Sequence, residues 1–403
     1  MEFRPILSAM LRNKTGSILV ALQIALTLAI VVNCMFMAKQ KIDHINRPSG
    51  MDVGNIISVS SVGFGNDYNH DRTIEDDLRL LSDMPGIVSV STSSGVPMSG
   101  SGSANGFAGS TEDDAPRHTA NYYSVSEDII DTLGVTLESG RTFRDIDVRR
   151  ADDETLSRLS PQVIITRAIA DKLFGEGDPA VGKLMYDGLG EGSEVVGVIE
   201  HMYGAWVGWS DFGQVALFPQ RTEGPHTRYL IRAEAGRRDE LIPVIEKTLA
   251  DSNRTRLIRN VRSMEEIVKN SYEGDNAIAV TLSVAVVLLL GVTGLGIVGL
   301  ASFTVRQRTK QIGTRRAIGA RKRDIIRYFL IENWLMTTIG IVLGTVLTIA
   351  INYSLASAFD IDQLNYMFLV AGMFMLWLLG FIAVAEPARR AAQVSPSIAT
   401  RTV

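Results

Sequence analysis

The chain is predicted to be an integral membrane protein with four transmembrane α-helices and a large extracytoplasmic α+β domain inserted between helices 1 and 2. Three observations carry that prediction. Ile18–Ala38, Ala277–Val305, Asn333–Tyr353 and Tyr366–Ala385 contain no Lys, Arg, Asp or Glu. Each has about the 20 residues needed to cross ~30 Å of hydrocarbon. The polar remainder is partitioned by charge. Between the first two apolar runs, strand and helix periodicities alternate.

The elements follow in order. Residues 1–17 carry Arg4, Arg12 and Lys14 and read as a cytoplasmic segment. The first span, 18–38, is longer than the 7–15 residues of a secretory h-region and ends on Phe36-Met37-Ala38, a poor cleavage site, so it reads as an uncleaved anchor. Residues 39–276 form the outer domain. The second span is 277–305, and a cationic loop, 306–332, carries Arg306, Arg308, Lys310, Arg315, Arg316, Arg321, Lys322, Arg323 and Arg327. The third span is 333–353. The short connection 354–365 has only Asp360 and Asp362 as charges. The fourth span, 366–385, leads into a tail, 386–403, with Arg389, Arg390 and Arg401. Basic residues favour the cytoplasmic side, which puts both termini and the 306–332 loop inside and residues 39–276 outside.

The net charge of −4 conceals this division. The outer segment holds 25 Lys and Arg against 38 Asp and Glu, an acidic balance that argues against nucleic acid as a partner. The inner cations suit anionic membrane lipid, at about 1 kcal/mol each near the surface. Cys34 is the single cysteine, so an intrachain disulfide is excluded and the outer domain must cohere by packing.

Within the outer segment, Asn55–Val62 alternates as a strand. Thr73–Met84 has Ile74, Leu78 and Leu81 at helical spacing with Thr73 as N-cap, and Ile87–Thr92 alternates again. Arg228–Ala233, the helix Arg238–Asp251 (its start delayed by Pro243) and Arg256–Val261 repeat the pattern. Two such units, at about 50–120 and 220–275, pack as split βαβ with helices on one side. An inserted subdomain spans about 121–219, with helices at Glu127–Leu133 and Arg167–Phe174, strands at Pro161–Ile165 and Val195–Ile199, and a turn at Gly134. Ser93–Asp114 reads as an exposed loop. Trp206 and Trp209 suit loop packing or a partner contact.

Catalytic signals are not found. There is no G-x-x-x-x-G-K-[ST] phosphate loop and no G-x-S-x-G elbow. His44, His70, His118, His201 and His226 include no His-x-x-x-His pair, and Gly224-Pro225 separates Glu223 from His226. No catalytic, metal or cofactor residue is therefore assigned. In the spans, Gly340 and Gly344 share a helix face, and Gly291, Gly294, Gly296 and Gly299 make span 2 glycine-rich. These small residues serve packing within the four helices or a dimer seam. With no ionisable group inside the spans, an ion-coupled transporter is disfavoured. Glu332 and Glu386 fall at span boundaries.

The cytoplasmic run RTKQIGTRRAIGA (308–320) followed by RKRDIIRYFLIE (321–332) resembles the pattern R-x-x-E-I-G-x-R-R-A-x-G-A-x-x-x-D-I-x-x-x-F-L-x-E of MacB-like (macrolide-exporter/FtsX) ABC permeases. Gln311 stands where that family usually has Glu. SEDIIDTLGV, ESGRTFRDID, RAIADKLFGEGDPAVGK and EVVGVI resemble its periplasmic core domain. PARRAAQVSPSIATR resembles its ending, with Thr400 in place of Leu. The resemblance covers nearly the whole chain in order. It implies a noncatalytic permease that works with a cytoplasmic ATPase, a separate chain binding ATP and Mg, and that pairs with a second permease copy or paralogue. A periplasmic adaptor and an outer-membrane tunnel fit a Gram-negative host. The expected location is the bacterial inner membrane, and the expected work is export of a peptide, antibiotic or lipid-type substrate by mechanotransmission. Sensing of envelope stress and activation of cell-wall hydrolases are the alternatives.

The coupling segment is expected at Gln311, Ile312, Gly313, Arg315, Arg316, Ile318, Gly319, Arg321 and Asp324. In it, Arg306–Ile312 extends span 2, Gly313 and Gly319 allow turns, and Lys322–Ile331 restarts as a helix. Ile312, Ile318, Ile325 and Ile326 supply apolar docking points for the ATPase.

Overall fold

The computed structural model describes residues 14–112, 114–149, 159–221, 224–359 and 364–395. Arg4, Arg12, Asp360, Asp362, Glu223, Thr400 and Arg401, on which some of the sequence expectations rest, lie outside these. The chain divides into two compact units, one made of residues up to Asn46 and from Gly274 onward, the other of Arg47–Glu273.

The first unit contains four helices long and apolar enough to cross a membrane: α1 (Lys14–Ile45), α7 (Glu273–Gln307), α9 (Lys322–Phe359) and α10 (Tyr366–Ala392). The 35 residues of α7 and 38 of α9 rise roughly 50–57 Å at 1.5 Å per residue, well beyond ~30 Å of hydrocarbon. Both helices are longer than the apolar runs that mark them because charged turns continue the same backbone hydrogen bonding. Helix α1 is the core of the unit. Ile24, Leu28, Val32 and Phe36 recur every fourth residue and are buried against Ile341, Leu369, Leu376 and Ile297. The i, i+4 spacing places them on one stripe.

The second unit is a single mixed sheet of eleven strands among the described residues: β1 (Ile56–Gly63), β2 (Ile87–Ser93), β3 (Ser103–Phe107), β4 (His118–Val125), β5 (Leu137–Gly140), β6 (Gln162–Thr166), β7 (Leu184–Tyr186), β8 (Gly192–Ile199), β9 (Val215–Pro219), β10 (His226–Ala233) and β11 (Arg256–Ser263). The order is β11-β1-β10-β2-β4-β9-β6-β8-β5, with β3 on β4 and β7 on β8. Both expected βαβ units are present and they interleave. β10 is antiparallel to both β1 and β2, while β1 is antiparallel to both β10 and β11. Helices α2 (His70–Ser82) and α5 (Arg238–Ser252) make the two crossovers.

Period-two alternation divides the sheet's residues between its faces. Ile57, Val59, Tyr229 and Ile231 pack with Leu81, Leu241, Ile245 and Leu249 of α2 and α5. Ile56 and Leu230 point the other way, toward α3 (Ile129–Leu133) and α6 (Met264–Ser271). The intervening segment adds α4 (Arg167–Phe174), whose Ile169 and Ala170 bury against Val163, Ile165 and Val198. It extends the same sheet through the Ser93–Val125 pairing.

Several local expectations are revised. Asn69 caps α2 through Arg72 N (3.0 Å), and the Thr73 hydroxyl donates to the Asn69 carbonyl (2.6 Å), so the helix begins a turn earlier. Asn is as good an N-cap as Thr. Pro243 lies inside α5 without delaying its start at Arg238, which is held by Glu265 (2.7 Å) and the Gly54 carbonyl (2.8 Å). The Ser93–Asp114 stretch is not simply an exposed loop: Val96 and Met98 are buried, and residues 103–107 form β3. Its serines and glycines look solvent-facing in sequence, yet they satisfy backbone groups and permit close approach here. Trp206 and Trp209 pack edge-to-face at 5.1 Å within their own loop.

Candidate functional site: a cationic elbow between spans 2 and 3

Helix α7 ends at Gln307, and Arg308 (φ −96°, ψ 10°) separates it from a short helix α8 (Thr309–Ala317). The expected unbroken extension through Ile312 is thus interrupted at Arg308. Its guanidinium turns back to Glu332 Oε2 (3.0 Å) and the Tyr328 hydroxyl (3.2 Å) at the base of α9. Arg315 lies 5.2 Å from the centre of the Tyr328 ring. Gln311 lines a small crevice beside Arg308, Arg315 and Tyr328.

The end of α8 is a Schellman motif. Ile318 is the C-cap, and Gly319 takes φ +107°. Ala320 N donates to the Arg315 carbonyl (3.1 Å) and Gly319 N to that of Arg316 (3.2 Å). That left-handed backbone explains the glycine. Asp324 then accepts from the Arg321 N–H (2.9 Å), which is half of a capping box at the start of α9. Arg316 donates to the Ala392 carbonyl (2.6 Å) at the C-terminus of α10, where the helix leaves carbonyls unpaired and favours a cation.

The elbow therefore separates the expected coupling residues into two groups. Ile312 is 5% exposed and belongs to the bundle core with Ile325 and Phe329, so it is no free docking point. Gly313 is buried inside α8 and makes no turn. Gly319, Asp324 and Arg316 shape and anchor the elbow. Ile318 is left outward, 82% exposed, and Lys310, Gln311, Arg315, Arg321, Lys322 and Arg323 are exposed with it. The Schellman stop is what leaves an isoleucine on the surface amid cations. The Arg308–Tyr328–Glu332 network was not anticipated. Glu332 alone, as a lone acid at a span boundary, gave a sequence signal.

The glycines have distinct surroundings. A Cβ at Gly340 would lie 2.8 Å from Ile24, and one at Gly344 would lie 2.9 Å from the Ala25 carbonyl, so α9 approaches α1 closely there. Gly294 faces Leu379 of α10, while Gly291 faces open space. Span 2 meets span 1 through polar groups, with Thr27 and Thr293 hydroxyls 2.7 Å apart.

Four membrane-length helices, an inserted mixed-sheet domain and a cationic elbow define the class: a polytopic membrane protein with a large domain between its first two spans. The profile described as "MacB-like periplasmic core domain" matches residues 17–243, and that described as "FtsX-like permease C-terminal" matches residues 283–396. The chain belongs to this MacB-like, FtsX-like ABC permease family. It is similar to the macrolide export ATP-binding/permease protein MacB of Neisseria meningitidis serogroup A, at 27% identity over 98% of this chain and 60% of that one. The corresponding figures for the MacB of Neisseria gonorrhoeae are 28%, 87% and 52%. The chain thus spans between half and three-fifths of the length of these relatives. The crystal structure of the periplasmic region of MacB from Actinobacillus actinomycetemcomitans aligns with 56% of this chain and 94% of that one, at 16% identity and a TM-score of 0.34, a score too low to define the fold.

Proposed function

We propose that this chain is the permease subunit of an ABC transporter and couples a separate cytoplasmic ATPase to movements of its outer domain. One observation carries the reading. The short helix α8 ends on an exposed isoleucine cap among cations, while Arg308 at its start bonds to Glu332 at the base of span 3 and Arg316 in its last turn bonds to the end of span 4. A partner gripping Ile318 would pull on two spans at once. Helices α7 and α9 are long enough to deliver such a pull beyond the bilayer. ATP and Mg belong to the ATPase. A second permease copy gives the ATPase dimer a symmetric load, and a periplasmic adaptor with an outer-membrane tunnel would carry a peptide, antibiotic or lipid-type substrate away from the inner membrane.

The test is Ile318→Asp in the full chain, purified in mild detergent with its ATPase. Recovery of the ATPase should fall while thermal unfolding of the permease stays unchanged. Undiminished recovery and hydrolysis would remove the elbow from the coupling path.

A further inference from the structure

The outer unit begins at Arg47, and its last helix ends just before Tyr272, two residues ahead of the second unit boundary. One guanidinium joins these two places. Arg47 Nε donates to the Tyr272 hydroxyl (3.2 Å), and Nη2 donates to the Val207 carbonyl (2.6 Å). Its Cζ lies 4.6 Å from the Tyr203 ring centre and 4.3 Å from that of Phe212. Those rings are stacked on each other at 4.4 Å, and His201 packs edge-on against Tyr203. Next to Arg47, His201 Nε2 meets the Pro48 carbonyl at 3.1 Å. Gly50 (φ +77°) lies so close that a Cβ would sit 2.2 Å from the His201 carbonyl.

The 201–212 loop continues inward from this clamp. Gly204 N donates to the Phe212 carbonyl (2.7 Å), closing the loop on itself. On its far side, Met98 N donates to the Gly204 carbonyl (2.8 Å) and Gly100 N to the Ala205 carbonyl (2.9 Å). Ala205 N in turn donates to Asn121 Oδ1 (2.9 Å), at the centre of the sheet's long axis. A planar cation stacked on aromatic rings with directed N–H bonds is a site where Lys does not substitute for Arg.

We infer that Arg47 is a positioning residue: it ties the entrance and exit of the outer domain to the 201–212 loop, and through that loop displacement of either end reaches residues 98–100. This rests on the coupling role proposed above for its mechanical meaning, and on the geometry alone for the tie itself.

Hydrogen–deuterium exchange on the full chain in detergent tests the tie. Arg47→Ala and Arg47→Lys should both weaken protection of the Met98, Gly100 and Gly204 amides by about tenfold or more, equal to about 1.4 kcal/mol of local opening. Protection across β1 and β10 should stay unchanged. Full protection in Arg47→Ala, or complete rescue by Lys, would overturn the inference. The second arm compares exchange with and without ATP in the permease–ATPase complex. Wild type should show an ATP-dependent change at 98–100 that Arg47→Ala loses while it still recovers active ATPase. An ATP-dependent change that persists in Arg47→Ala would refute the relay. A wild type that binds the ATPase yet shows no change anywhere in the outer unit would count against the coupling role, and the first arm would still decide the tie.

Discussion

Asp147 illustrates how a single buried group sets a pH window. Its side chain is 3% exposed, and burial alone would raise its pKa. Hydrogen bonds from Arg141 Nη1 (2.5 Å), the Arg144 N–H (2.9 Å) and Arg144 Nη2 (3.2 Å) outweigh that and hold it at about 2, below the ordinary 3.8. A depressed carboxylate pKa stabilises the fold fully above the unfolded value and loses that contribution as pH falls through the folded one. The shift corresponds to about 2 kcal/mol. Asp147→Asn should therefore melt lower than wild type at pH 7, with the difference shrinking as pH falls below about 4. A difference constant with pH would exclude the charge as its source.

Asp77 and Arg256 make a deeper pair at the same scale, with side chains 3% and 0% exposed. Arg256 Nη2 also reaches the Leu249 carbonyl and Ser252 Oγ, each at 2.7 Å, and the Tyr229 hydroxyl donates to Asp77. Burial, followed by the neighbouring Asp77 charge, pushes the Tyr229 hydroxyl well above its usual pKa, which keeps it a donor. Asp77→Ala strands a buried guanidinium and should cost about 3–5 kcal/mol. Replacing both partners with apolar residues should cost much less, as read from thermal unfolding.

At the scale of elements, the elbow and the bundle seam make separable predictions. Ile312→Asp buries a charge in the core shared with Ile325 and Phe329 and should lower the melting temperature of the membrane unit. Ile318→Asp should not, because its side chain is already in solvent. Gly344→Val forces a side chain toward the Ala25 carbonyl and Leu28, an overpacking cost of about 1–3 kcal/mol. Gly291→Val meets open space and should leave stability unaltered unless a second copy covers that face, in which case size-exclusion chromatography would reveal loss of the dimer.

For the whole molecule, the relay demands that the elbow and the outer domain lie on opposite sides of the membrane. Protease added to spheroplasts should cut within 47–273 and spare 306–332, and cleavage of both would remove any path to relay. Much of the architecture was legible. The spans, the crossover helices and most strands follow from apolar length and from period two or 3.6, which are local properties. The elbow was legible as a cationic break of motif type. Its division of labour was not, because the burial of Ile312 depends on Ile325 and Phe329, and Arg308's partner lies 24 residues away across a turn.

The amino-acid sequence by itself determined that this chain carries four helices long and apolar enough to cross a membrane, and which charges flank them, because hydrophobic length and charge act residue by residue. Only the tertiary structure decided which isoleucine faces solvent, that the inserted segment completes one continuous sheet, and that Arg47 closes the outer domain. Those outcomes depend on which side chains meet across long stretches of chain, and no local pattern encodes that meeting.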